Sequence, residues 1–153
     1  EEGRPMFLRR PDSHLGLANF MRSHLYASLA TLKIGLDILL KEEDVKIDSI
    51  TGHGGLFKTK GVGQSILAAA MNAPISVMET AGEGGAWGMA LLAAYMLSKK
   101  DGQSLGDYLD SRVFAERKSE TMEPDPSDAA GFETYTKQYQ ACLAAEKAAV
   151  QAF

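Results

Sequence analysis

The chain has 153 residues, 45% of them hydrophobic, and a net charge of −4. That length suits one domain with a packed core, and the acidic balance argues against nucleic acid as the main partner, because a phosphate backbone calls for a basic face. No apolar run approaches the roughly 18 residues that a membrane span needs, so no membrane partner is expected. The charge is uneven: residues 1–100 carry 11 basic and 10 acidic side chains, residues 101–153 carry 5 and 10. The acidic tail reads as a solvated surface. Cys142 is the one cysteine and falls in an expected helix, where it reads as a small buried apolar residue. A single cysteine forms no internal disulfide, which suits a reducing compartment and a cytoplasmic location. Glu1-Glu2-Gly3-Arg4 leads to no apolar core, so no signal peptide is visible, and the missing initiator methionine suggests a piece of a longer protein.

In chain order, residues 4–18 are irregular, with Pro5 and Pro11 discouraging a helix. Asn19 is placed to cap a long helix running to about Glu43. Leu25, Leu29, Leu32, Leu36 and Leu39 repeat at spacings of three and four, the mark of one buried face. A strand follows over Val45–Thr51. It runs into Gly52-His53-Gly54-Gly55 and then a helix over Thr59–Met71. Glycine allows positive φ and leaves no Cβ between the backbone and a ligand, and a strand, a glycine turn and a helix start together form a common seat for a nucleotide. The turn is neither a Gly-x-Gly-x-x-Gly fingerprint nor a P-loop. Asn72-Ala73-Pro74 breaks the helix, and Ile75–Met78 reads as a short buried strand.

A second glycine cluster, Thr80 to Gly88, opens a helix over Gly84–Leu97 so apolar that it is expected to be largely buried. Lys99 and Lys100 suit its end, and Asp101-Gly102 stops it. The two strands are expected side by side and parallel, with helices as crossovers. Two strands are few for these helices, a second hint of a longer parent. Residues 103–131 read as a loop-rich connection with one short helical piece, Leu105 to Phe114, and Phe132–Phe153 as a C-terminal helix with Phe132, Tyr135, Tyr139, Leu143 and Val150 on one face. His14, His24 and His53 share no metal-ligand spacing, and no metal-ligating residues are expected.

These residues carry a resemblance. The Gly52–Gly55 turn after a strand, Gln64 on the next helix, the small-residue run Ala68 to Pro74, the strand Ile75–Met78, and Glu83 to Ala90 together resemble the C-terminal domain of the FGGY carbohydrate kinases. Gly88-Met89-Ala90 stands for the family's Gly-Ala-Ala helix start. The resemblance covers about residues 4–153 and is nearest to the bacterial xylulokinase-like branch, with ribulokinases next. It implies an α/β fold, part of an actin-like (ribonuclease H-like) ATPase domain with parallel strands flanked by helices. It implies ATP-dependent phosphorylation of a sugar, D-xylulose to D-xylulose 5-phosphate, with ATP and Mg as cofactors and ATP/ADP and the sugar as partners.

In the family a general-base aspartate sits on the other domain, so no catalytic residue is assigned to this chain, and the chain alone is expected to be inactive. By resemblance Gly52, Gly54 and Gly55 form the turn against the adenosine, Leu56, Phe57 and Thr59 line the adenine pocket, Gln64 is the helix glutamine and Glu83 the acid before the last helix. His53 departs from the usual glycine, and Lys58 and Lys60 add charge. His53 reads as a turn residue, Gln64 as a tether of the turn or its helix, Trp87 as core, and Glu83 as either a helix cap or a cleft residue. Homo-oligomerisation through a surface left by missing parts is also expected. Other readings stay open: a ribulose kinase, or a non-catalytic actin-like sugar-sensing or assembly module.

Overall fold

The computed structural model describes residues 3–79, 81–115 and 119–152. Thr80 and Phe153, the expected start of the second glycine cluster and end of the last helix, lie outside the described residues. The elements run α1 (Leu17–Lys41), β1 (Ile50–Gly52), a 3-10 turn (Gly55–Phe57), α2 (Val62–Met71), β2 (Ile75–Met78), a second 3-10 turn (Ala81–Glu83), α3 (Gly84–Ser98), α4 (Leu105–Tyr108), a π turn (Leu109–Val113), β3 (Ser119–Met122) and α5 (Pro126–Ala152). They divide into two compact units: Glu1–Ile47 with Ile66–Asn72 and Pro124–Phe153, and Asp48–Ser65 with Ala73–Glu123. None of the helices is long and apolar enough to cross a membrane, among the described residues.

The helical unit holds α1, most of α2, and α5. Its α1 begins two residues before Asn19, with Gly16 at the N-cap, and the Asn19 side chain instead donates to His14 O at 2.9 Å. The buried positions of α1 are Tyr26, Leu29 and Ala30. Of the expected leucine face only Leu29 is buried, while Leu32 and Leu39 are exposed. The face turned because aromatic packing outweighs the leucine repeat: Tyr26 meets Phe132 edge-on at 4.8 Å and Tyr135 at 5.3 Å between centroids. Phe132 is fully buried, and Tyr135 Oη donates to Ser23 O at 3.4 Å. On α5, Leu143 and Cys142 are exposed, so the reading of Cys142 as buried is corrected. Past Thr136 the helix is mostly alanine and polar residues, with little apolar volume to bury.

The strand expected over Val45–Thr51 is only Ile50–Gly52. Asp44 adopts positive φ as α1 ends, and the Val45 amide donates to Leu39 O at 3.0 Å. Val45 is thereby spent on finishing the helix, and Val45 and Ile47 are left exposed.

The sheet unit contains three strands in the order β1-β2-β3. β1 and β2 pair in parallel, Ile50 opposite Ile75 and Gly52 opposite Val77, as the sequence leads one to expect. β3 pairs antiparallel with β2, Ile75 opposite Met122 and Met78 opposite Ser119, inside the stretch read as a loop. Its sequence, Ser-Glu-Thr-Met, lacks apolar alternation, and it is held by backbone pairing and by the Ser76–Thr121 hydroxyl contact of 2.8 Å. The last helix starts at Pro126, a good first helical residue, rather than at Phe132. Asp125 Oδ1 accepts from the amides of Ser127 and Asp128.

Ile75 is fully buried at the centre of this sheet. Below it, Gln64 in the first turn of α2 donates through Nε2 to Ile75 O and to Glu120 O, both at 2.8 Å. Gln64 is 5% exposed, so its amide is taken up by these two bonds. Helix α3 departs most from expectation. None of its residues is buried, and Met89, Met96 and Leu97 are exposed at 69%, 75% and 90%. Three strands of three or four residues offer too little surface to cover a helix that is apolar on every side. α3 is fixed at its end, where Tyr95 Oη donates to Gln103 O at 2.7 Å and Tyr108 packs on Tyr95 at 5.4 Å.

Replacing Gln64 by Leu is expected to destabilise the protein by about 1–3 kcal/mol, because the buried Ile75 carbonyl and the part-buried bond to Glu120 lose their donor. Urea unfolding followed by circular dichroism measures this, and a loss under about 0.5 kcal/mol would show that the amide is not a structural tie. In the helical unit, burial alone would raise the Asp37 carboxyl, but hydrogen bonds and charge from Lys33 and Lys41 outweigh it and hold it below its ordinary value. A depressed folded value stabilises the fold above about pH 4 and is lost as pH falls through it. Asp37→Asn should flatten the fall of stability below about pH 4, and an unchanged acid limb in pH-dependent unfolding would refute the coupling.

Candidate functional site

The site lies wholly in the sheet unit and begins where β1 ends. At Gly52 an added Cβ would fall 2.3 Å from Phe57 Cζ, so the Phe57 ring folds back over a buried glycine. Gly54 has φ 106° and ψ −171°, a region open almost only to glycine. The turn closes through Phe57 N to Gly54 O at 3.1 Å and Lys58 N to Gly55 O at 3.2 Å. Gly61, with φ 79°, re-aims the chain into α2. Gly63 lets that helix approach the turn: a Cβ there would sit 2.2 Å from Leu56 O.

Three contacts join this turn to the second glycine loop. The Gly54 amide donates to Ala81 O at 2.7 Å. His53 lies against Gly84, whose added Cβ would be 2.6 Å from Nδ1. Lys58 lays its stem along Gly82, 3.2 Å from Cγ to an added Cβ, and its Nζ reaches Glu83 Oε1 at 2.9 Å. Glu83 occupies the N-cap position of α3 without capping it, because its carboxylate is turned to Lys58.

The glycines therefore divide. Gly52, Gly63, Gly82 and Gly84 are small because a neighbour fills the Cβ position. Gly54, Gly55 and Gly85 have nothing within 4 Å of theirs, so their backbone is open to a ligand. The residues singled out from sequence fall on both sides of this division. Gly54, Gly55, Leu56 and Thr59 lie together on the turn, with Thr59 exposed and Leu56 half-buried. Gly52 and Gln64 face inward, under Phe57 and against the strand carbonyls. His53 and Glu83 are brought together with the turn by the second loop. Sequence reasoning missed the receiving role of Gly82 and Gly84. The signal was available in Gly82-Glu83-Gly84, two glycines flanking an acid, set opposite a histidine and a lysine.

Strands that each run through a glycine loop into a helix make this an α/β domain with backbone-lined turns. Residues 1–97 match the FGGY family of carbohydrate kinases, C-terminal domain. The chain belongs to that family, and its fold is the actin-like, ribonuclease H-like one. No curated protein and no solved structure gives a match. Kinases of this family phosphorylate carbohydrates using ATP and a divalent metal ion. The open backbone at Gly54 and Gly55 fits a nucleotide lying against the turn. Among the described residues no group of three or more His, Cys, Asp or Glu is placed to hold a metal ion by itself, and a nucleotide's divalent ion is held largely by phosphates and water.

The division of the glycines is testable by single methyl groups. Gly54→Ala should cost about 1–3 kcal/mol, since its φ is positive. Gly55→Ala, with ordinary φ and open space, should stay within about 0.5 kcal/mol of the parent. Equal losses in chemical denaturation would show that Gly55 is not an open position.

Proposed function

We propose that this chain is the adenosine-binding side of an ATP-dependent sugar kinase that converts D-xylulose to D-xylulose 5-phosphate. The observation that carries the reading is the open backbone of Gly54 and Gly55 at the end of β1, in a chain of a carbohydrate-kinase family. Leu56 and Thr59 on the same turn supply an apolar wall and a hydroxyl beside the base or ribose. Gln64 acts behind them by holding the turn's helix on the sheet, and Gly52 and Phe57 by shaping the turn. His53 and Glu83 bound the site from the second loop.

No residue of this chain is assigned a chemical step. The general-base aspartate and the sugar contacts belong to a second domain in this reading, and magnesium accompanies the nucleotide. Phosphoryl transfer is mainly positioning and electrostatic stabilisation, and the part of that work assigned to this chain is to hold the adenosine end of the nucleotide. A cytoplasmic location belongs to the same reading, as the single cysteine suits a reducing compartment. Homo-oligomerisation through the exposed apolar side of α3 is part of the same reading.

ADP release by the complete kinase, measured with D-xylulose, D-ribulose and L-ribulose, tests this. D-xylulose should give the highest kcat/KM. A higher value for a ribulose would change the substrate, and no ADP with any sugar would refute the kinase reading. Gly55→Val should raise KM for ATP much more than KM for the sugar, and an unchanged KM for ATP would remove this turn from the nucleotide site.

A further inference from the structure

Among the described residues the Lys58–Glu83 pair is the one contact between the two glycine loops that uses formal charge. Both side chains are exposed, at 59% and 74%, so as an ion pair it contributes little to stability. Two other contacts, Gly54 N to Ala81 O and His53 against Gly84, already join the loops without it. Yet the chain is shaped around Lys58. Gly82 leaves out the side chain that would displace the lysine stem, and the 3-10 turn that begins at the open Gly55 ends at Lys58. The ammonium is thus set at the edge of an open backbone surface, held by a single carboxylate oxygen at 2.9 Å. Lys60, two residues on, is different: its Nζ pairs with Glu120 of β3 at 3.0 Å.

Resting on the nucleotide reading above, we propose that Lys58 is a phosphate-binding residue of this site, and that Glu83 competes with the nucleotide for it. In the empty site Lys58 Nζ is neutralised by Glu83. When a nucleotide lies along Gly54 and Gly55, the ammonium leaves Glu83 for a phosphate oxygen. An ammonium is a flexible point charge on a long stem, suited to such an exchange. Glu83 then sets a threshold: only a ligand with enough negative charge displaces it, which favours nucleoside di- and triphosphates over adenosine.

This role predicts effects of opposite sign, which a purely structural clasp does not. Binding of ATP, ADP and adenosine to the chain is measured by titration calorimetry for the parent, Lys58→Met, Glu83→Gln and Lys60→Met. Lys58→Met should weaken ATP by about tenfold, the size of one charge-assisted contact, and leave adenosine within about twofold. Glu83→Gln should tighten ATP by about threefold, since its competitor is gone. Lys60→Met should change ATP binding by less than about twofold, as expected of a solvated charge.

Weakening by both Lys58→Met and Glu83→Gln would mean that the pair only holds the loops, and would overturn the proposal. Equal effects of Lys58→Met and Lys60→Met would reduce it to general charge attraction and overturn it too. A parent chain that binds neither ATP nor adenosine would refute the nucleotide reading itself, and this inference with it. Bound nucleotide with the wrong signs would refute the Lys58 role alone.

Discussion

The sheet unit depends on one buried amide. Strands of three, four and four residues give a ladder too short to be stable by pairing alone. Gln64 supplements it by donating from one nitrogen to carbonyls on two adjacent strands, Ile75 and Glu120. A terminal amide does this without bringing in a charge: it carries two N–H groups on one atom, where a carboxylate or a hydroxyl offers no such pair. The described residues contain no buried side-chain nitrogen or oxygen without a partner. One residue before Gln64, the missing Cβ at Gly63 lets the chain pass close against Leu56 O, which fixes where the glycine turn comes to rest.

What the sequence made legible follows from how local each signal is. The parallel pair β1 and β2 was readable because each strand runs straight into a glycine loop and a helix, so connectivity left few arrangements. α2, β2 and α3 were found within a few residues for the same reason. β3 was not, because Ser119 to Met122 has no apolar alternation, and its pairing with β2 is a contact distant in sequence. The buried face of α1 was misread because leucine spacing counts apolar residues without weighing them. Tyr26 has two aromatic partners on α5, and those partners decided the orientation.

The site was legible as a place and less so as an arrangement. Glycine clusters mark loops, but sequence does not say whether a glycine is small for a ligand or for a neighbour. Gly52 and Gly84 look like Gly54 and Gly55 in the sequence, and they differ in what occupies the Cβ position: Phe57 and His53 for the first two, open space for the others, with Gly54 also at positive φ. The glutamine was read as a tether and its partners were not, since those are backbone atoms on strands 11 and 56 residues away. Glu83 was left between cap and cleft. Its carboxylate does not cap the helix and pairs instead with a lysine that sequence had marked only as added charge.

Helix α3 shows how the second loop is held where it is. A helix with no charged residue from Gly84 to Ser98 ordinarily takes its position from side burial at about 25 cal/mol per Å². Here no residue of it is buried, so that source is weak. Its position comes from its two ends. At the start, Ala81 O, Glu83 and Gly84 meet the first glycine turn. At the finish, Tyr95 bonds Gln103, and Ser98 meets the Tyr108 hydroxyl at 3.1 Å.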